Sequence, residues 1–278
     1  MSIRLLHGVH VPHRKNTAEC VPTRMPPPAM VTIPMSMNIG MPATPVVKAG
    51  DEVKVGQRIG EAGGFVSSPV YSGVSGKVKK IDKMLLFHGA VCDAVVIETD
   101  GQQTPCEDLR APEVTDFDSF IDSVRDSGVV GLGGAGFPTS VKLKVDPDKV
   151  DFICINGAEC EPYITADTRT MLDDAETMVD GVSLLRKYYP KAKIIFGIEN
   201  NKPKCVQRLK ELTAGKDCVE VNALPALYPQ GGEKVLIHNT TGRVVPEGKL
   251  PIDVGCIVIN TSTLVSMTRY IRTGMPLV

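Results

Sequence analysis

Four glycines within six residues, Gly131-Leu-Gly-Gly-Ala-Gly136, constrain this chain more than any other stretch. Backbone without side chains lets N–H groups approach a bound anion closely. Gly131, Gly133 and Gly136 also satisfy G-x-G-x-x-G, which marks a dinucleotide site only between a strand and a helix. Here Phe117, Phe120, Ile121 and Val124 recur upstream at helical spacing, and only Val129 and Val130 remain for a strand. Pro138 can start a helix but not continue one. The spacing therefore argues against an ordinary Rossmann arrangement around this loop. The apolar run 150–155 reads as a buried strand, and Asn156-Gly-Ala-Glu-Cys-Glu-Pro162 follows directly. A phosphate cradle and an acidic rim at a strand end suit a nucleotide-like cofactor; the alternative is a purely structural glycine turn.

The chain divides near residue 110. Before it lies strand-and-turn material. The proline-rich 22–34 segment should run extended along a surface. Residues 46–60 alternate apolar and polar, broken by Gly-Asp and Gly-Gln turns, and 66–81 repeat the pattern. Together they look like a barrel-sandwich hybrid over residues 44–84, the fold of lipoyl and biotinyl carriers. A carrier needs a modifiable lysine at the tip between its halves, where this chain has Ala62-Gly-Gly-Phe65, so the domain reads as structural. Residues 111–278 alternate helix and strand signals, which predicts an α/β domain. Strands are expected over 150–155, 193–198 and 219–221. One amphipathic helix, capped by Asp167 or Thr168, should bury Met171, Leu172, Ala175, Met178, Val179, Val182 and Leu185. Further helices are expected after Pro203, over 232–237 and over 264–271.

A net charge of −1 gives no reason to expect nucleic acid as a partner. No apolar run approaches a bilayer span, and the first residues lack a signal-peptide core. The eight cysteines contain no C-x-x-C, which points to a reducing, cytoplasmic setting and excludes a recognisable iron–sulfur ligand run. His7, His10 and His13 form H-x-x-H-x-x-H, but Val9-His-Val-Pro12 does not read as helical, so no metal is assigned. Cys160 is either a reactive thiol or a small packing residue.

Gly131-Leu-Gly-Gly-Ala-Gly-Phe-Pro-Thr139, Lys142 and Asn156-Gly-Ala-Glu-Cys-Glu-Pro-Tyr163 resemble the flavin- and NADH-binding segments of RnfC proteins, which belong to the Rnf electron-transport complex. They are similar, more distantly, to the flavoprotein subunit of respiratory complex I. His7-Gly-Val-His-Val-Pro12, Ile39-Gly-Met-Pro-Ala43 and the 46–57 segment extend the resemblance over almost the whole chain. It implies an α/β flavin/NADH-binding domain, complex I flavoprotein-like and Rossmann-like, after a mainly-β barrel-sandwich hybrid domain. The implied activity is an NADH-dependent flavin oxidoreductase subunit passing electrons between NAD(H) and ferredoxin through FMN. The family's 4Fe-4S clusters would lie in a part of the protein or a partner outside this chain. Implied partners are NADH, other electron-transport complex subunits and a ferredoxin-like protein, with a peripheral place on the inner face of a bacterial cell membrane. A soluble paralogue serving a cobalamin or amino-acid reductase and a scaffold without flavin are the alternatives; Met35-Ser-Met-Asn38, where Rnf proteins have Leu-Ser-Gln-His, fits a paralogue.

By this resemblance Gly131, Gly133, Gly134 and Lys142 hold or line the FMN, with a solvated lysine as the other reading of Lys142. Asn156, Glu159, Tyr228, Glu233 and Asn260 complete the cofactor set; Phe137, Glu161 and Glu233 face NADH, Phe137 alternatively being a core residue. If the backbone is extended, Glu159 and Glu161 point to one face. The chain departs from the family at Leu132, where the complex I flavoprotein has arginine, and at Ala158, where the motif has Asp. Gly232, Ile259 and Ser262 depart as well. Acidic residues around the site predict NAD over NADP.

Overall fold

The computed structural model describes residues 6–278. By contact the chain forms two units: Pro22–Lys144 with Arg269–Val278, and the residues up to Val21 with Val145–Thr268.

The first of these is a sandwich of short strands. Strands β1 (Met30–Pro34), β7 (Val91–Thr99), β6 (Gly76–Leu85) and β3 (Glu52–Val53) make one sheet in that order, and β2 (Thr44–Pro45), β4 (Arg58–Glu61) and β5 (Val70–Tyr71) a second. All their pairings are antiparallel. Ile33, Val53, Val78, Val95 and Ile97 from one sheet and Ile59 and Val70 from the other bury a common core, which the alternation of each half dictates. The extended proline-rich segment ends by pairing: Met30–Pro34 lies along β7, a strand absent from the sequence reading. The Ala62-Gly-Gly-Phe65 turn joins β4 to β5, with Phe65 67% exposed.

Two helices belong to the same unit, α1 (Phe117–Asp126) and α2 (Thr139–Leu143). Asp116 and Ser119 cap α1 reciprocally. The Tyr71 hydroxyl donates to the Asp126 carbonyl at the end of α1, and Arg58 donates to that hydroxyl at 3.0 and 3.2 Å. Composition changes near residue 110, whereas contact holds residues 111–144 to the strands through this Tyr71 latch.

The other unit is an α/β layer structure. Strands β8 (Phe152–Gly157), β9 (Lys193–Glu199), β10 (Val219–Leu224) and β11 (Cys256–Asn260) form a parallel sheet in the order β10-β9-β8-β11. Near-continuous apolar runs, Ile153-Cys-Ile155 and Ile194-Ile-Phe196, suit strands covered on both faces. Helices α3 (Ala166–Asp173), α4 (Ala175–Tyr188), α5 (Pro203–Leu212) and α6 (Glu233–Thr241) supply the crossovers, and α7 (Thr261–Thr273) follows the last strand, its residues from Arg269 on being counted with the sandwich unit. The single helix expected after Asp167 is two. Asp174, at φ −117 and ψ 23, breaks it, and α3 begins after Thr165 rather than at Asp167 or Thr168. Aspartate competes with helical hydrogen bonding through its own side chain, which makes it a natural break. Met171, Ala175, Met178, Val182 and Leu185 are buried as the stripe predicts, while Leu172 and Val179 are only half-buried. Strand β11 is a second addition to the sequence reading. Because β9 and β10 lie on one side of β8 and β11 on the other, the winding reverses between β8 and β11. Ligands of open parallel sheets bind at the carboxyl ends beside such a reversal.

Candidate functional site

The glycine loop lies in the sandwich unit. The Gly131 N–H donates to the Phe137 carbonyl at 2.9 Å, and Gly136 N–H returns to Gly131 at 3.3 Å, closing a small ring. Behind it, Ile39 N–H donates to the Gly136 carbonyl at 3.1 Å. Only Gly136 in this ring has positive φ, +66°, which demands glycine. Gly134 is different: a Cβ there would meet nothing within 4 Å, and at Gly131 nothing nearer than 3.6 Å. The protein's own packing gives no reason for glycine at Gly134. A bare, exposed backbone with room in front of it fits the phosphate of a nucleotide-type cofactor. Gly133 and Gly134 are exposed, Phe137 is half-buried, and Lys142 is half-buried in the last turn of α2.

In the α/β unit, Asn156, next to last in β8, and Asn260, last in β11, lie side by side as register partners at the reversal. The Asn156 amide donates to the Gly231 carbonyl at 2.9 Å and its oxygen accepts from Ala158 N–H at 3.2 Å. Asn260 accepts from the N–H groups of Ser262 and Thr263 at 2.8 and 3.2 Å, capping α7, and donates to Asp167 at 2.8 Å. Tyr228 is 45% exposed before Pro229, and Glu233 opens α6, half-buried.

The two loop carboxylates do not share a face. Glu159 adopts φ +48, outside the extended region, so the i, i+2 rule does not apply. Its side chain turns inward, 4% exposed, and caps α3: Oε1 accepts from Asp167 N–H at 2.6 Å and Oε2 from the Thr168 hydroxyl at 2.5 Å. Glu161 is exposed. Of the two, Glu161 presents its charge outward. Cys160 is 6% exposed, its Sγ accepts from Gly231 N–H at 3.3 Å, and burial raises its thiol pKa, which is the packing reading.

Four charged side chains support this loop, Glu159, Glu199 and Lys202 buried and Lys15 half-buried, and only Glu159 stands out in the sequence. Lys15 Nζ donates to the carbonyls of Glu159, Glu161 and Ile164 at 2.8, 3.1 and 2.6 Å and lies 3.6 Å from the Glu159 carboxylate. Lys202 Nζ donates to the Ala158 carbonyl at 2.6 Å and to Glu199 at 2.9 Å. Burial lowers the Lys15 pKa, against the attraction of Glu159, and raises that of Glu199, against Lys202. Lys15 and Lys202 are 144 and 44 residues from the loop carbonyls they hold, so no local pattern announces them.

Lys15 belongs to an N-terminal strap. Leu6 N–H donates to Asn239, Val9 and Tyr228 exchange two backbone bonds of 2.8 Å, His13 lies 3.5 Å from Asn201, and Arg14 N–H donates to Pro162 at 2.9 Å. Thr17 and Thr165 share a hydroxyl bond of 2.6 Å. Tyr228, Asn201 and the 158–165 loop follow β10, β9 and β8 respectively, so the strap runs along the carboxyl edge of the sheet in strand order. Among the described residues no cluster of three or more metal-type side chains occurs, and no helix is long and apolar enough to cross a membrane.

Residues 124–269 match the family model of the Nuo51 FMN-binding domain, and residues 3–102 that of the RnfC barrel sandwich hybrid domain. The chain is 44% identical over 275 residues to the RnfC-type protein of the Na(+)-translocating ferredoxin:NAD(+) oxidoreductase complex of Acetobacterium woodii, covering 97% of this chain and 62% of that protein. Its identity to the corresponding protein of the proton-translocating ferredoxin:NAD(+) oxidoreductase complex of Clostridium ljungdahlii is 42%, over 98% of this chain and 60% of that one. With the corresponding protein of the ion-translocating oxidoreductase complex of Pseudomonas aeruginosa it is 35%, over 98% and 36%. The chain thus spans less than two thirds of the length of these relatives. A solved NAD+-reducing NiFe hydrogenase in the H2-reduced state aligns with 55% of this chain and 30% of its own, at 24% identity and a TM-score of 0.46. With the Nuo51 FMN-binding domain matched over more than half its length and an RnfC barrel sandwich hybrid domain ahead of it, the chain belongs to the RnfC family.

Proposed function

We propose that this chain is the FMN- and NADH-binding part of an RnfC-type electron-transfer protein, working between NAD(H) and ferredoxin. The observation that carries the reading is Gly134, a glycine with ordinary φ and open space before its absent side chain, inside the segment matched by the FMN-binding family. When bound, FMN supplies the redox chemistry, taking a hydride from NADH and releasing electrons singly. This chain's residues bind and orient. Exposed backbone at Gly133 and Gly134 receives the phosphate, Gly131 lines the loop with its own N–H held by Phe137, and Lys142 adds charge to the same unit. In the α/β unit, Asn156 and Asn260 stand at the sheet reversal, where a polar edge would be held, together with Tyr228 and Glu233. Glu159 supports its loop from within and contributes through the position of that loop. Glu161 is the outward carboxylate for the dinucleotide, and its charge opposes the additional phosphate of NADP. Phe137 offers a flat face for the nicotinamide.

No acid or base is required of the protein for hydride transfer. The relatives are named as subunits of ferredoxin:NAD(+) oxidoreductase complexes. By that likeness, electrons leave this chain for 4Fe-4S clusters held outside these residues and then for ferredoxin, with other subunits of a membrane complex as partners. A cytoplasmic, peripheral position on the membrane follows from the same likeness. Reconstitution with FMN tests the reading: a flavin absorbance that survives gel filtration at near one per chain is expected, and a protein that retains none is a scaffold.

A further inference from the structure

We propose that Lys15 is a positioning residue for dinucleotide binding, its ammonium caging the acidic loop from inside and thereby fixing where Glu161 stands. The proposal rests on the reading above that Glu161 faces the dinucleotide. An ammonium has three N–H donors and no acceptor. All three find carbonyls of one loop, those of Glu159, Glu161 and Ile164. Arg14 N–H takes the Pro162 carbonyl, so two consecutive strap residues hold four carbonyls within six loop positions.

The loop has no helix or strand of its own between Gly157 and Ala166. Glu159 sits in it at φ +48, a left-handed backbone that a residue with a side chain seldom adopts, and Lys15 holds its carbonyl there. Of the residues whose carbonyls face Lys15, Glu159 turns its side chain inward, while Glu161 is exposed and Ile164 is 49% exposed, with Tyr163 between them at 72%. The strap cannot drift, because it is tied at Tyr228 before Lys15 and at Thr165 after it. Lys202 repeats the arrangement, holding the Ala158 carbonyl with Glu199 as its counter-ion.

The test uses the full chain and two readouts, amide hydrogen exchange over residues 158–165 without ligand and NADH affinity at matched FMN occupancy. Lys15→Met removes charge and donors but keeps the stem. Lys15→Met/Glu159→Gln, compared with Glu159→Gln alone, removes the stranded carboxylate charge as well and covers the case in which the single variant does not fold. Lys15→Arg keeps the charge and several donors. We expect loop exchange to speed up by about tenfold and the NADH Kd to rise by about tenfold on loss of Lys15, with FMN affinity of Lys15→Met within about threefold and partial recovery in Lys15→Arg. Unchanged loop exchange in a folded variant overturns the proposal. So does faster exchange with unchanged NADH affinity. A wild-type chain that binds FMN but no NADH overturns the underlying reading first, and is recognised before any variant is made.

Discussion

Gly134 and Gly136 stand two apart in one loop under opposite constraints. At Gly136 the positive φ of +66° makes glycine a requirement of the backbone, since a Cβ there would meet only ordinary contacts at 3.6 Å. Gly136→Ala should therefore cost about 1 kcal/mol or more in denaturant unfolding. Gly134→Ala adds a methyl to empty space and should leave stability within about 0.5 kcal/mol. If the loop receives a phosphate, the same methyl weakens FMN binding by about tenfold, read by flavin fluorescence. Equal FMN affinity in Gly134→Ala would remove the main observation behind the proposed function. Glu159 illustrates what residue-level reading cannot reach. Its presence in the acidic motif is plain in the sequence, but its direction depends on a left-handed backbone and on Lys15, which is far away in sequence. Glu159→Ala uncaps α3 and removes the carboxylate beside Lys15, and should destabilise the protein by about 1–3 kcal/mol in calorimetry or denaturant melts. A surface carboxylate would cost under about 1 kcal/mol.

Elements were legible where a single period governs them. The runs that become β8, β9 and β10, and the spacing of α1, α5 and α7, carry their own signal. The break at Asp174 did not, because the apolar stripe continues through it from Met171 to Ala175. Strand β11 was hidden because Val258 to Asn260 read as part of a binding motif. The Tyr71 latch joining β5 to the end of α1 is likewise a long-range contact. Burial pushes the Tyr71 phenol pKa from 10.0 up to about 12, opposed by Arg58. A folded-state pKa above the unfolded one gives stability that is complete below pH 10 and lost as pH rises toward 12. Wild-type stability should therefore fall across that window more steeply than that of Tyr71→Phe. Parallel pH profiles for the two proteins would show that the phenol contributes no such linkage.

At the scale of the molecule, the resemblance carried by the glycine and acidic motifs reached the right family, and the sheet reversal at Asn156 and Asn260 supplies a physical reason for a site there. The strap along the carboxyl edge was not legible, since its bonds join residues 6–19 to partners beyond residue 158. Everything proposed for this chain requires that it bind FMN where NADH can reduce it. An anaerobic titration of the FMN-reconstituted chain, followed by visible absorbance, tests this most directly. Stoichiometric NADH should bleach the flavin, while NADPH at the same concentration should do so far more slowly. A bound flavin that stays oxidised in excess NADH would contradict the claim.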